Sequence, residues 1–310
     1  MLITEDSVLK SAKFVAEHSK HLLEGMHRRN YSTSTWQSHP LNPKELSNAT
    51  VDWIFVVDLL NFSFWSDTDE STYAVELAGV EYTGYWALCA AINRAIEEGI
   101  PMTDPSWYAT ATIEQLSHVF RSSRSESAIP MLSERIRLLQ ESGSLMVAKF
   151  GGSFTNVIRA AENDAVGLVN LVCLNFHSFM DVTTFHGHPD LWACFEGKSY
   201  GKFNNIESIT MFADYRIPQQ LEFMGLLELS TEFKEDLEQG RLFNVHEEKV
   251  VELRGSSIWV VELLRQKLKG LNPTTAFNAI LIDFYLWDSV QEHKTDLMAI
   301  PIHKTRSCFY

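Results

Sequence analysis

Apolar residues recur at helical spacing along most of this chain, and only two short stretches alternate as strands do. That pattern restricts the fold to helices packed on helices, with β structure as an addition. Ser7 to Arg29 carries Val8, Ala12, Val15, Ala16, Leu22 and Leu23 on one face. The run Ser38-His39-Pro40-Leu41-Asn42-Pro43 breaks any helix with its two prolines. Asn42 reads as the cap of a following helix, with Pro43 at its first position and Trp53, Ile54, Val57 and Leu60 along it. Further helices are expected over Tyr85–Glu98, Asp104–Phe120, Pro130–Phe150, Phe154–Phe176, Thr231–Gln239, Ser256–Lys269 and Thr274–Lys294. The clearest strand signal is a hairpin, Tyr73–Leu77 and Val80–Tyr82 around Ala78-Gly79. Val250–Leu253 is a second candidate strand. Asp181–Asn205 is rich in Gly and Pro and is the weakest part of the chain. The expected fold is mainly α with small β additions: one domain over 1–310, built from two helical lobes with a boundary near 181–205.

The 310 residues are 45% apolar and 21% charged, a globular composition with material for a sizeable core. Lys and Arg total 26 and Asp and Glu total 40, a net charge of −14. A nucleic acid or an anionic membrane meets that field as repulsion, so neither is expected as a stable partner. Cys89, Cys173, Cys194 and Cys308 are scattered, with no CxxC pair. Scattered thiols in a chain this long fit a reducing, cytoplasmic setting. Met1 to Lys20 has no apolar signal core, and no apolar run reaches membrane-spanning length. Phosphate-binding, dinucleotide, zinc-protease and serine-hydrolase motifs are absent, so no metal or organic cofactor is expected. His186-Gly187-His188-Pro189-Asp190 is the one dense histidine cluster, and it reads as a loop more readily than as a metal site.

Three segments carry more chemistry than packing requires. In Thr210-Met211-Phe212-Ala213-Asp214-Tyr215-Arg216-Ile217-Pro218, a carboxylate sits among apolar and aromatic residues, where burial would set its pKa. An ion pair with Arg216 or a helix cap explains Asp214 equally from composition. In Asp283-Phe284-Tyr285-Leu286-Trp287-Asp288, helical spacing puts Phe284 with Asp288 and Asp283 with Trp287. Two acids among rings suit a base-like ligand: rings stack on its π-face and carboxylates accept its N–H donors. An amphipathic core helix with two solvated acids explains the same residues. The third is His39, whose turn fixes its direction, though a histidine between prolines is commonly structural. Phe150-Gly151-Gly152-Ser153-Phe154 reads as a linker or as an anion-binding nest before a helix. Arg254-Gly255-Ser256-Ser257 reads as a helix start, capped by Ser or holding a phosphate.

Taken together, Asn61-Phe62-Ser63-Phe64-Trp65-Ser66, Tyr82-Thr83-Gly84-Tyr85-Trp86, Phe150–Phe154, Ser208–Arg216 and Asp283–Asp288 resemble the eukaryotic queuosine salvage protein family. The resemblance runs from about Ser7 to Tyr310. It implies a fold similar to helical DNA glycosylases. It also implies hydrolysis of the N-glycosidic bond of queuosine 5′-monophosphate, releasing queuine, a 7-deazaguanine base reused in tRNA modification. The substrate so implied is a small-molecule nucleotide. Carried over residue by residue, the catalytic carboxylate falls on Asp214. The base-binding positions fall on His39, Phe212, Ala213, Asp283, Phe284 and Asp288. Lys198, Arg216 and Arg254 are candidates for the 5′-phosphate. Two other readings compete: a glycosylase acting on bases within nucleic acid, and a non-enzymatic helical interaction module whose aromatics form a partner groove.

Overall fold

The computed structural model describes residues 21–29, 32–125, 127–181, 198–271 and 277–310. Their contacts form two compact units. One unit holds 33–181, 198–204 and Ser307–Tyr310; the other holds 21–32 and 205–306, so far as these residues are described. Both are mainly helical, and each adds one two-stranded sheet among the described residues. The expected α class with small β additions is therefore present. Residues 182–197, which include His186, His188, Asp190, Cys194 and most of the expected lobe boundary, lie outside the described set.

In the first unit the helix Asn48–Leu59 is the centre of the core. Val51, Trp53, Ile54, Phe55, Val56 and Val57 are all buried, so it is apolar around most of its circumference. Phe55 stacks on Phe154 with ring centroids 4.6 Å apart. This helix does not start at Asn42-Pro43. Ser47 caps it, its hydroxyl accepting the Thr50 N–H at 3.3 Å. The Asn42 amide instead donates to the Trp36 carbonyl at 2.8 Å and closes the preceding turn. The hairpin forms as expected, Ala74–Leu77 against Val80–Thr83. Ala78 and Gly79 both take positive φ, 51° and 78°, as a two-residue turn of this hand requires.

Two expected helices are split by caps that the apolar period hides. Asp104–Phe120 becomes Pro105–Tyr108 and Ile113–Val119, because Thr112 and Gln115 form a capping box. Phe154–Phe176 becomes Phe154–Ala160 and Ala165–Asn175. Glu162 and Asn163 turn left-handed between them, and Asp164 caps the second. The helix Leu132–Phe150 meets Pro105–Tyr108 at Gly143, where an added Cβ would fall 2.7 Å from the Tyr108 ring and 2.8 Å from the Pro105 carbonyl.

Arg135 is fully buried in this unit. Its Nε donates to the Pro130 carbonyl at 2.9 Å, its two Nη atoms to the Leu60 and Phe62 carbonyls, and its plane lies 4.1 Å over the Phe62 ring. Ser63, left-handed at φ 50°, donates its N–H to the Tyr310 carbonyl and its hydroxyl to the Ser307 carbonyl. The Asn61–Ser66 string thus anchors the C-terminal residues and a buried cation.

In the second unit the expected strand Val250–Leu253 is absent. One helix, Glu248–Leu271, runs through it, and Val250, Leu253, Arg254, Ser257, Val261, Leu264 and Leu268 are buried along one face. Burial of that face overrides the local β preference of the two valines. It also removes the helix start expected at Arg254–Ser257, since those N–H groups now lie inside a continuous helix. Asn278 caps Ala279–Glu292, accepting the Leu281 N–H at 3.0 Å. The helix Arg216–Phe223 packs on both. It is tied to Lys294–Leu297 by the Gln219 amide, which donates to the Leu297 carbonyl at 3.0 Å. Leu242–Phe243 and Lys304–Thr305 form a short parallel pair.

Candidate active site

Ile209 to Asp214 is neither helix nor ladder, so its backbone polar groups need other partners. Four of them are seen to find these within the unit. The Phe212 N–H donates to Asp283 Oδ2 at 3.1 Å. The Phe212 carbonyl accepts the Asp214 N–H at 3.0 Å. The Ala213 carbonyl accepts Arg254 Nε at 2.9 Å. Asp214 then closes the segment: its Oδ1 accepts the N–H groups of Arg216 and Ile217, each at 2.7 Å. Those are first-turn donors of the helix Arg216–Phe223, which has no earlier carbonyl to offer them. Pro218 also falls in that first turn, where its missing N–H costs nothing.

The cap reading of Asp214 is therefore realised, and it uses one oxygen. No hydrogen bond to Oδ2 is present among the described residues. Burial drives the Asp214 pKa from 3.8 to about 6, against the two amide hydrogen bonds and the charges of Arg216 and Arg254. The result is a rigid carboxylate, desolvated yet mostly ionised at neutral pH, with one oxygen held and one open.

Asp283, Phe284 and Asp288 lie on Ala279–Glu292 as the helical spacing requires. Asp283 is buried and reaches the Phe212 amide, whereas Phe284 and Asp288 are half-buried on another face. Ala213 is fully buried and Phe212 half-buried. The structure thus brings Phe212, Ala213, Asp214 and Asp283 into one hydrogen-bonded cluster, with Phe284 one residue further on.

His39 belongs to the other unit. Its ring stacks on Trp86, centroids 3.3 Å apart and planes 14° from parallel. Its Nδ1 accepts the Leu41 N–H at 3.3 Å, which leaves Nε2 to carry the proton of the neutral ring. Burial, then the Lys44 charge, lowers its pKa to about 4. His39 at neutral pH is a hydrogen-bond donor and a poor proton shuttle.

Two anion-binding expectations change. The Phe150–Phe154 string forms no anion nest: Gly151 and Gly152, at φ 61° and 77°, both give their N–H groups to the Met146 carbonyl and close the helix Leu132–Phe150, and the chain's own Asp52 takes the start of the next helix. Asp52 accepts the Phe154 N–H at 2.7 Å and the Ser153 hydroxyl at 3.0 Å. Arg254 is fully buried against the Ala213 carbonyl, so it is not a surface cation for a phosphate. Arg216 donates to Gln219 Oε1 at 2.9 Å and spreads over the Tyr215 ring; Lys198 is exposed in the other unit. Sequence reasoning missed Arg254 as a partner of the Asp214 segment. Its signal was present: Arg254 occupies a core position in the Val250, Leu253, Ser257, Val261 spacing.

Residues 41–310 match the family model described as queuosine salvage protein. The chain belongs to the queuosine salvage protein family. Relatives of that family lie across distant organisms. A Bos taurus protein named queuosine 5′-phosphate N-glycosylase/hydrolase is 42% identical over 334 residues, covering 97% of this chain and 98% of its own. A Schizosaccharomyces pombe protein of the same name is 40% identical, covering 89% of this chain and 87% of its own. A Sphaerobacter thermophilus protein of that name is 35% identical, with 93% and 90% covered. All five strings that carry the resemblance fall inside the span of the queuosine salvage match, and His39 stands just before it. Among the described residues no cluster of three or more His, Cys, Asp or Glu is arranged to hold a metal ion.

Proposed function

We propose that this chain hydrolyses the N-glycosidic bond of queuosine 5′-phosphate and releases queuine, with residues 1–310 acting as one catalytic domain. The observation that carries the chemistry is the Asp214 carboxylate, pinned through Oδ1 by two backbone amides and desolvated to a pKa of about 6. Relatives named for this activity over nearly their whole length supply the substrate.

Cleavage of the ribose–base bond passes through an oxocarbenium-like state with positive charge at C1′. Asp214 Oδ2 stabilises that charge. The bonding pair leaves with the base, which takes up a proton, and water adds at C1′ and gives up a proton, completing the hydrolysis. A 7-deazapurine lacks the N7 that would otherwise accept a proton. Protonation elsewhere on the base must therefore relieve its developing negative charge, while contacts from the protein hold the base in place. Phe212 and Phe284 supply ring faces, and Asp283 and Asp288 take the N–H donors and side-chain amine of queuine. Asp283 Oδ2 holds the Phe212 amide, so this side chain also shapes the segment that carries Asp214. Assignment of His39 to base contact rests on the resemblance, and its ring state fits a neutral Nε2–H donor.

The test is incubation with queuosine 5′-phosphate, queuosine and guanosine monophosphate, with free base followed by mass spectrometry. Queuine should appear from the first. Asp214→Asn should keep substrate binding and lose at least ~10²-fold in turnover, the scale of removing one electrostatic stabiliser. Near-normal queuine release by folded Asp214→Asn would remove that residue from its role.

A further inference from the structure

The mechanism above uses Asp214 but does not explain what aims it. A carboxylate direction is set by its Cα–Cβ bond, hence by the planes of the two flanking peptides. On the C-terminal side, Oδ1 is fixed by the Arg216 and Ile217 amides. On the N-terminal side, the Ala213–Asp214 peptide is fixed at both its polar atoms. Its N–H donates to the Phe212 carbonyl and its carbonyl accepts Arg254 Nε. Arg254 has no exposed surface, so its guanidinium is desolvated and its hydrogen bond is strong and geometrically strict.

We propose that Arg254 is a positioning residue for the reaction: its buried guanidinium orients the Ala213–Asp214 peptide so that Oδ2 is presented to the sugar. The inference rests on the role given to Asp214. Among the described residues, several charged and titratable groups face the segment. Arg216 comes from its own helix, Arg254 from Glu248–Leu271, and Asp283 from Ala279–Glu292 through the Phe212 amide. His303, from the C-terminal stretch, stands near Arg254 and is held neutral, its pKa lowered to about 3 by burial and by that guanidinium. Arg216 is partly exposed and engaged with Gln219, which leaves Arg254 as the buried cation of the set.

The experiment compares wild type, Arg254→Gln and Arg254→Lys by three readings: kcat and KM on queuosine 5′-phosphate, the Asp214 carboxyl titration by 13C NMR, and thermal unfolding. Arg254→Gln should lose about tenfold or more in kcat with KM within about threefold, the signature of a misaimed group. Its Asp214 midpoint should move up, because a neighbouring positive charge is gone. Arg254→Lys keeps the charge without the planar fork, so its midpoint should stay near wild type while kcat remains reduced. A folded Arg254→Gln with unchanged kcat and midpoint, or with its loss confined to KM or to unfolding temperature, overturns the proposal. If Arg254→Gln does not fold, the Lys variant decides: wild-type kcat, or a midpoint displaced upward, overturns it. If neither folds, exchange of the wild-type Arg254 Nε–H decides, since exchange at the free-solvent rate means the anchor is not formed. Absence of queuine release by wild type, with an Asp214 midpoint that still follows the charge at residue 254, would sink the reaction and leave this coupling standing.

Discussion

Asp214 shows how one side chain can meet a structural demand and the chemical one proposed for it. As a helix cap it stabilises Arg216–Phe223, and the same two amide bonds hold in place the carboxylate to which we assign the catalysis. A free aspartate has a pKa of 3.8; this one titrates near 6, since burial outweighs the amides and the two arginines. The sign for activity follows directly. Stabilising a cation requires the ionised form, so kcat/KM should fall as pH drops through about 6, by about tenfold per unit below it. The second ionisation of a phosphate monoester also lies near pH 6, so the limb must be assigned on the protein. A 13C titration of the Asp214 carboxyl should give the same midpoint without substrate, and a midpoint near 4 would contradict it. The Asp214 carboxylate was legible in the sequence as an acid among rings. Its cap was one of two plainer alternatives there, and it is the one realised: Arg216 meets Asp214 through its backbone N–H, while its side chain goes to Gln219.

At the scale of elements, the resemblance strings prove to be joints between helices. Asn61–Ser66 cradles the Arg135 guanidinium and the C-terminal residues, Tyr82–Trp86 supplies the ring beneath His39, and Phe150–Phe154 receives Asp52. Burial lifts the Asp52 pKa to about 6 against the hydrogen bonds from Phe154 and Ser153. A close helix contact gives a mutational test. Gly143→Ala would place a methyl 2.7 Å from Tyr108 and 2.8 Å from the Pro105 carbonyl, and a backbone atom cannot swing aside as a side-chain tip can. Denaturant unfolding should show a loss of about 1–3 kcal/mol, typical of overpacking, with no change in the Asp214 titration. Helix existence was readable from periodicity almost throughout. Boundaries failed where a cap sat inside an apolar run, as at Thr112 and Asp164, and where tertiary burial carried Glu248–Leu271 through a local strand signal.

For the whole molecule, the net charge of −14 bears on which form of the substrate is accepted. Polymer binding draws its affinity from neutralised phosphates and their released counterions, which a strongly acidic surface opposes. The expected outcome is queuine release from the free 5′-phosphate and none from intact queuosine-containing tRNA at physiological salt, measured by mass spectrometry of the free base. Release from intact tRNA at a comparable rate would contradict it. Among the described residues no helix is long and apolar enough to cross a membrane. The amino-acid sequence by itself determined the helical class, the hairpin, the placement of Asp283 and Asp288 on one helix, and the family. Each of these depends on residues within a few positions of one another, or on strings read whole. Only the tertiary structure decided that Asp52 meets the Phe154 amide at the start of a helix, that Asp283 reaches an amide 71 residues away, and that Arg254 reaches a carbonyl 41 residues away. A buried polar group must find a partner, but which one it meets is set by how distant segments pack, and no local pattern encodes that choice.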